Sequence, residues 1–133
     1  MLRKAKERYE KNGIQNIIYI HGDIGSLPLV EDSVDILLTM NGYHAFPEKE
    51  KALLETARVM KPGSAVLGCF YIKDKRRATD FVINHLYQRL GSFTPPFFSF
   101  NEIKEQWGKY FEFKQYHNVK SIVYFLEIRN NIS

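Results

Sequence analysis

Three short stretches hold side chains with the makings of a binding or catalytic site, and each follows a run of apolar residues. In His21-Gly22-Asp23-Ile24 the Asp23 carboxylate can accept from an exocyclic amine while Ile24 covers an aromatic ring. The same residues also suit an Asx turn, because Asp readily bonds its own backbone. In Thr39-Met40-Asn41-Gly42-Tyr43-His44, the imidazole of His44 titrates near neutral pH and can take a proton, or it can rest as a solvated or core histidine. In Phe70-Tyr71-Ile72-Lys73, Tyr71 can line a pocket or fill the core. All three lie where a buried strand would end, which is where open α/β sheets bind ligands.

Other chemistries find less support. His21, His44, His85 and His117 lack the close His or Cys spacing of a metal site, so no metal is expected. Cys69 sits in an apolar run, where burial disfavours the thiolate a nucleophile needs. Gly22 and Gly25 are three apart with no further glycine, which makes neither a dinucleotide fingerprint nor a phosphate loop. Lys73, Lys75, Arg76 and Arg77 can meet an anion or a nucleic acid, although such runs usually form a solvated helix start. Phe93, Phe97, Phe98 and Phe100 can receive an apolar substrate or pack as a lid.

The elements that must position these residues follow from periodicity. Leu2, Ala5 and Tyr9 share a helical face that stops at Asn12-Gly13. Ile14 to Ile20 reads as a buried strand running into the His21-Gly22-Asp23 turn. Val34 to Met40 is nearly all apolar, as in a parallel strand covered on both faces. A helix is expected over Pro47–Met60 with Leu53, Leu54, Ala57 and Met60 inward, acids near its start and bases near its end. Pro62-Gly63 predicts a tight turn before a strand over Ala65–Ile72.

Ala78, Phe81, Val82, His85, Leu86 and Leu90 form a second helical stripe. Ser99 and Glu102 have capping-box spacing, with Phe98 and Ile103 as a hydrophobic staple, so a short helix carrying Trp107 should begin there. Phe111–Tyr116 and Ile122–Ile128 read as an antiparallel pair around Asn118-Val119-Lys120, the second strand being interior.

At 133 residues the chain supports one domain. With 44% hydrophobic and 26% charged residues it has ordinary globular usage, which excludes a disordered or collagenous chain. The net charge of +4 permits acidic partners without naming one. One cysteine and no apolar stretch of spanning length point to a cytoplasmic protein without a membrane segment.

The order of these signals resembles a class I S-adenosylmethionine-dependent methyltransferase of the small-molecule type that includes quinone-biosynthesis enzymes. The resemblance rests on Gly22-Asp23-Ile24 with Leu27-Pro28, on DSVDILLT over residues 32–39, on Tyr43-His44, and on LETARVMKPG over residues 54–63. It covers most of the chain to about Tyr71. It implies an α/β fold: a partial Rossmann-like methyltransferase sheet, mainly parallel, with an antiparallel C-terminal strand pair and its first two strands absent. Residues 1–133 would be a single truncated methyltransferase domain. By the same resemblance Ile17 to Ile20 is the third strand, Asp23 accepts from the adenine amine beside Gly22, and Ile24 packs on the ring. Thr39 and Met40 face the methionine part of S-adenosylmethionine. Tyr43, His44 and Tyr71 lie on the side of a small-molecule acceptor, with His44 as the catalytic base.

The family's first strand, glycine-rich loop and ribose-holding acid find no counterpart in the sequence. Methyl transfer by this chain is therefore expected to be weak or absent, and its hold on the cofactor poor. The alternative is a non-catalytic remnant or regulatory subunit acting through protein association. A missing central strand also predicts that Ile14–Ile20 pairs directly with Val34–Met40, or that a homo-oligomer covers the exposed sheet edge.

Overall fold

The computed structural model describes residues 2–87, 89–91 and 93–130. Helix α1 (Leu2–Lys11) is followed by an irregular segment, strand β1 (Val34–Met40), a 3-10 turn (Tyr43–Ala45), helix α2 (Lys49–Val59) and strand β2 (Met60–Tyr71). Helix α3 (Arg77–Val82) continues into a π turn (Ile83–Tyr87). Helix α4 (Phe100–Trp107) and strands β3 (Phe111–Val119) and β4 (Ile122–Arg129) complete the order.

The four strands form one mixed sheet in the order β1-β2-β4-β3. β1 runs parallel to β2, while β4 is antiparallel to both β2 and β3. The parallel part of the sheet is thus a single pair, and the C-terminal hairpin is antiparallel with β4 inside, as expected. Pro62 and Gly63 do not form a free turn. They bulge from β2, whose register against β1 jumps from Val34↔Met60 to Ile36↔Ala65, and Gly63 takes the φ of 76° that the bulge demands.

The core lies between one sheet face and helices α2 and α4. Alternation along the strands turns Val66, Phe70, Val123 and Phe125 toward Leu53 and Ala57 of α2 and Ile103 and Trp107 of α4. The Trp107 ring is the hub, with centroids 5.2 Å from Tyr43, 5.3 Å from Phe125, 5.6 Å from Phe111 and 5.8 Å from Phe70. α4 is positioned by its capping box: Ser99 Oγ accepts from the Glu102 amide, and the Glu102 carboxylate accepts from the Ser99 amide at 2.7 Å.

Two expectations fail. Ile14–Ile20 forms no strand, and it does not pair with β1. A strand needs a neighbour to accept its backbone groups, and none stands beside this segment. Its apolar side chains stay out of the core, with Ile18 87% exposed. β1 in turn is paired along one edge only, and Ile36, Leu38 and Met40 point to the open face of the sheet at 67%, 70% and 58% exposure.

The stripe over residues 78–90 is also turned outward. Phe81, Val82, Leu86 and Leu90 are exposed, and Ile83, outside the expected stripe, is the residue buried instead.

Glu127 is the least expected core residue. Alternation along β4 places it on the inward face with Val123 and Phe125, fully buried, and neither carboxylate oxygen has a hydrogen-bond partner. Burial pushes its pKa up to about 9, so the folded chain holds it neutral near pH 7. A raised carboxyl pKa means the folded state binds the extra proton. Its stabilising effect is full below the ordinary value of 4.5 and is lost as pH rises toward 9. Urea unfolding from pH 7 to 9, above the range where His44 titrates, should show stability falling with pH, and Glu127→Gln should flatten that slope and gain stability at pH 8. A slope unchanged in the variant would assign it to another group.

Candidate functional site

The C-terminal ends of β1 and β2 meet at His44. The 3-10 turn after β1 folds the imidazole back over β2, where the amide of Tyr71 donates to its Nδ1 at 3.2 Å. A backbone amide can only donate, so Nδ1 accepts and the neutral ring carries its proton on Nε2. Phe93 stacks on the ring at 4.1 Å between centroids, and the side chain is buried. Desolvation, reinforced by the nearby Lys49 cation, lowers the His44 pKa to about 4.

Lys49 is itself buried. Its ammonium donates to the carbonyls of Phe46 at 2.9 Å and Thr94 at 2.5 Å, and burial lowers its pKa. Thr94 adds two bonds of its own: its amide donates to the His44 carbonyl at 3.1 Å and its hydroxyl to the Ala45 carbonyl at 3.0 Å. Lys49 and Thr94 therefore clamp the loop carrying Phe93 onto the turn carrying His44. Tyr71 closes the other side, its hydroxyl donating to Asp80 Oδ1 at 2.5 Å; burial and that carboxylate raise its pKa. Asp80 Oδ2 also accepts from the Asp74 amide at 3.1 Å, which ties α3 to the end of β2.

Sequence reasoning passed over Lys49, because Glu48-Lys49-Glu50-Lys51 reads as a solvated helix start. It also passed over the pair that seats the Asp23 loop. Glu55 accepts from the Leu27 amide at 2.8 Å, while Arg58 donates to the Leu29 carbonyl at 2.9 Å and binds Glu55 at 2.6 Å. The Arg58 hydrogen bond holds the Glu55 carboxyl down at about 2. The Glu-x-x-Arg spacing inside LETARVMKPG was the available signal.

The implied cofactor residues are only partly gathered. Asp23 sits on an exposed turn with its Oδ1 accepting from the Gly25 amide at 2.8 Å, the geometry of an Asx turn. Gly22 precedes it with Pro28 as its near neighbour. Ile24 and Thr39 do meet, lining a small apolar cavity with Leu37, Tyr43 and Trp107, but its volume of about 30 Å³ is that of one water molecule in the liquid. Met40, one residue on, points to the opposite sheet face, its sulfur 3.9 Å from Cys69 Sγ. Tyr43 is a core side chain whose hydroxyl donates to Gln106 at 3.2 Å, whereas the resemblance implied a place beside the acceptor. Tyr71 and His44 are neighbours, their ring centroids 6.5 Å apart. Among the described residues no group of three His, Cys, Asp or Glu side chains could hold a metal ion.

A parallel strand pair ending in a clamped turn, with helices on one face, is part of a Rossmann-like α/β fold of the methyltransferase kind. The profile of the family described as "Methyltransferase domain" matches residues 1–68, half of the chain, and the chain belongs to that family. It is 35% identical over 66 residues to an arsenite methyltransferase of Halobacterium salinarum, covering 50% of this chain and 17% of that protein. It is 31% identical over 97 residues to the ubiquinone/menaquinone biosynthesis C-methyltransferase UbiE of Citrobacter koseri, covering 69% of this chain and 39% of the relative. The solved structure of YcgJ from Bacillus subtilis overlays 99% of this chain and 79% of its own with a TM-score of 0.80 at 18% identity, which shows the shared fold. The chain thus spans well under half the length of these two curated relatives.

The family's cofactor is S-adenosylmethionine. Taken alone, the described residues do not fit it: Asp23 is engaged in its own turn, the Ile24–Thr39 cavity is water-sized, and Met40 faces the other side of the sheet.

His44 gives a pH-dependent expectation. Its lowered folded pKa means the unfolded chain binds the proton first, so stability is lost as pH falls from about 6.5 to about 4. The loss over that window is roughly 3 kcal/mol at most. Because the Glu127 carboxyl titrates in the opposite sense over this window, chemical denaturation at pH 4.5 and 7 should show the loss in the Glu127→Gln background, and adding His44→Gln there should remove most of the difference.

Proposed function

We propose that this chain contributes the acceptor side of S-adenosylmethionine-dependent methyl transfer to a small molecule. The observation behind the reading is the His44 cluster at the ends of β1 and β2, held by Lys49, Thr94 and Tyr71. With Nδ1 occupied and a pKa near 4, His44 is a poor general base at neutral pH. Its role is to donate from Nε2 and orient an acceptor oxygen or nitrogen, with Phe93 covering the ring. Orientation of this kind is a large share of what such a site can contribute to rate.

The transfer itself requires a glycine-rich strand, turn and helix supplied from outside these 133 residues, by more of the same polypeptide or by an associating chain. Losing two charge-assisted hydrogen bonds to the cofactor costs roughly two to four decades in affinity. Calorimetry of the 133-residue chain with S-adenosylmethionine should therefore show weak heat at best, and Asp23→Ala should remove what there is. Micromolar binding would overturn this account of the site. Residual binding untouched by Asp23→Ala would leave that residue with its turn alone.

A second reading, association without catalysis, is favoured by the edge of β1. Its unpaired backbone lies beside exposed Ile36, Leu38 and Met40, a template for pairing with another chain. A second copy of this chain is the partner that reading names. Size-exclusion chromatography with light scattering should give a dimer or larger species that Leu38→Lys shifts toward monomer. A clean wild-type monomer would remove the homo-oligomer.

A further inference from the structure

The outward stripe of the α3 segment is left unused by the methyl-transfer reading. Phe81 is 62% exposed, Leu86 52% and Leu90 66%, with Val82 beside them at 42%. His85 adds to the same surface, stacked on Phe81 at 4.2 Å. The segment does not lack anchoring that would otherwise explain its exposure. Ile83 is buried, Asp80 is bonded to Tyr71, and Tyr87 lies against Phe93 at 5.7 Å, so the inner side is packed while the apolar side faces solvent.

Basic side chains flank the stripe. Lys75, Arg76 and Arg77 precede it and Arg89 follows Leu86, all exposed and none in an ion pair among the described residues. Of the nearby acids, Asp80 is turned inward onto Tyr71 and the Asp74 amide, and Asp74 is the one exposed carboxylate in the stretch 73–91. An apolar row bordered by cations matches an anionic lipid surface, where acyl chains receive the row and headgroup phosphates receive the cations.

We propose that residues 75–87 and 89–90 form an interfacial membrane-docking surface, selective for anionic lipid, with Phe81, Leu86 and Leu90 entering the bilayer and Lys75, Arg76, Arg77 and Arg89 at the headgroups. This is contact in the plane of the membrane and not a span; no helix among the described residues is long and apolar enough to cross one. Nucleic acid would also attract the cations, but it gives no reason for Phe81, Val82, Leu86 and Leu90 to share the surface. The same segment carries Asp80 and Tyr87, which touch Tyr71 and Phe93 beside His44. Docking here therefore suits an acceptor that arrives dissolved in lipid. That consequence rests on the methyl-transfer reading; the membrane contact does not.

The test is co-sedimentation of the whole chain with vesicles of phosphatidylcholine alone and of phosphatidylcholine with one quarter phosphatidylglycerol, which needs no enzymatic activity. Binding is expected to the anionic vesicles, at least tenfold weaker to the neutral ones, and reduced by added salt. Each basic residue at such a surface strengthens binding about fivefold, so Arg76→Ala/Arg77→Ala should weaken it roughly thirtyfold. Phe81→Asp/Leu86→Asp should abolish it, while Val30→Asp, at an exposed position outside both this surface and the β1 edge, should leave it unchanged. Circular dichroism checks that each variant keeps the wild-type spectrum; the charge variant stands if the apolar one does not fold.

Equal binding to both vesicles, charge and apolar variants that behave as wild type, or loss only in Val30→Asp would overturn the proposal. So would tighter binding to a single-stranded oligonucleotide at the same salt that Phe81→Asp/Leu86→Asp leaves intact.

Discussion

A strand inside a parallel sheet needs a partner on each edge and a layer on each face, and β1 has one of each. Its paired edge against β2 and its covered face against α2 and Trp107 are well satisfied, with Leu37 and Thr39 turned to the core side. The other edge is open, and Ile36, Leu38 and Met40 stand on the other face. This asymmetry governs much of the rest. Ile14–Ile20 does not fill that edge, and the residues implied to touch the cofactor lie on two sides of one strand.

On the satisfied side the chain is tightly organised. Gly68 shows how closely β2 is approached: a Cβ there would fall inside contact distance of the Thr39 carbonyl and the Phe125 ring. Beyond the strand ends, a buried ammonium fixes the loop geometry by satisfying two carbonyls that water would otherwise hold. His44 inherits its tautomer and its low basicity from that arrangement, because a cation and an aromatic ring lie beside it while a backbone amide occupies Nδ1. Its chemistry is thus set by neighbours from three other parts of the chain.

Much of this was legible in the residues themselves. The α2 helix, the C-terminal strand pair with β4 inside, and the Ser99–Glu102 cap follow from short-range pattern and hold in the structure. Glu127 was within reach of the same reasoning, since period-two alternation assigns it to the inward face with Val123 and Phe125. Lys49 was not. A lysine among alternating charges reads as solvated, and only the arrival of Thr94 from 45 residues away buries it.

The sequence by itself determined the helical or extended character of α2, α4, β3 and β4 and which family the chain resembles, because hydrophobic period and capping are local properties. Tertiary structure alone decided that Ile14–Ile20 is no strand, that the Phe81–Leu90 stripe faces outward, and that His44 is neutral with its proton on Nε2. Each of these depends on what stands across a gap in space. A backbone edge, an apolar face or an imidazole takes its state from the atoms that replace water around it, and those atoms come from distant parts of the chain.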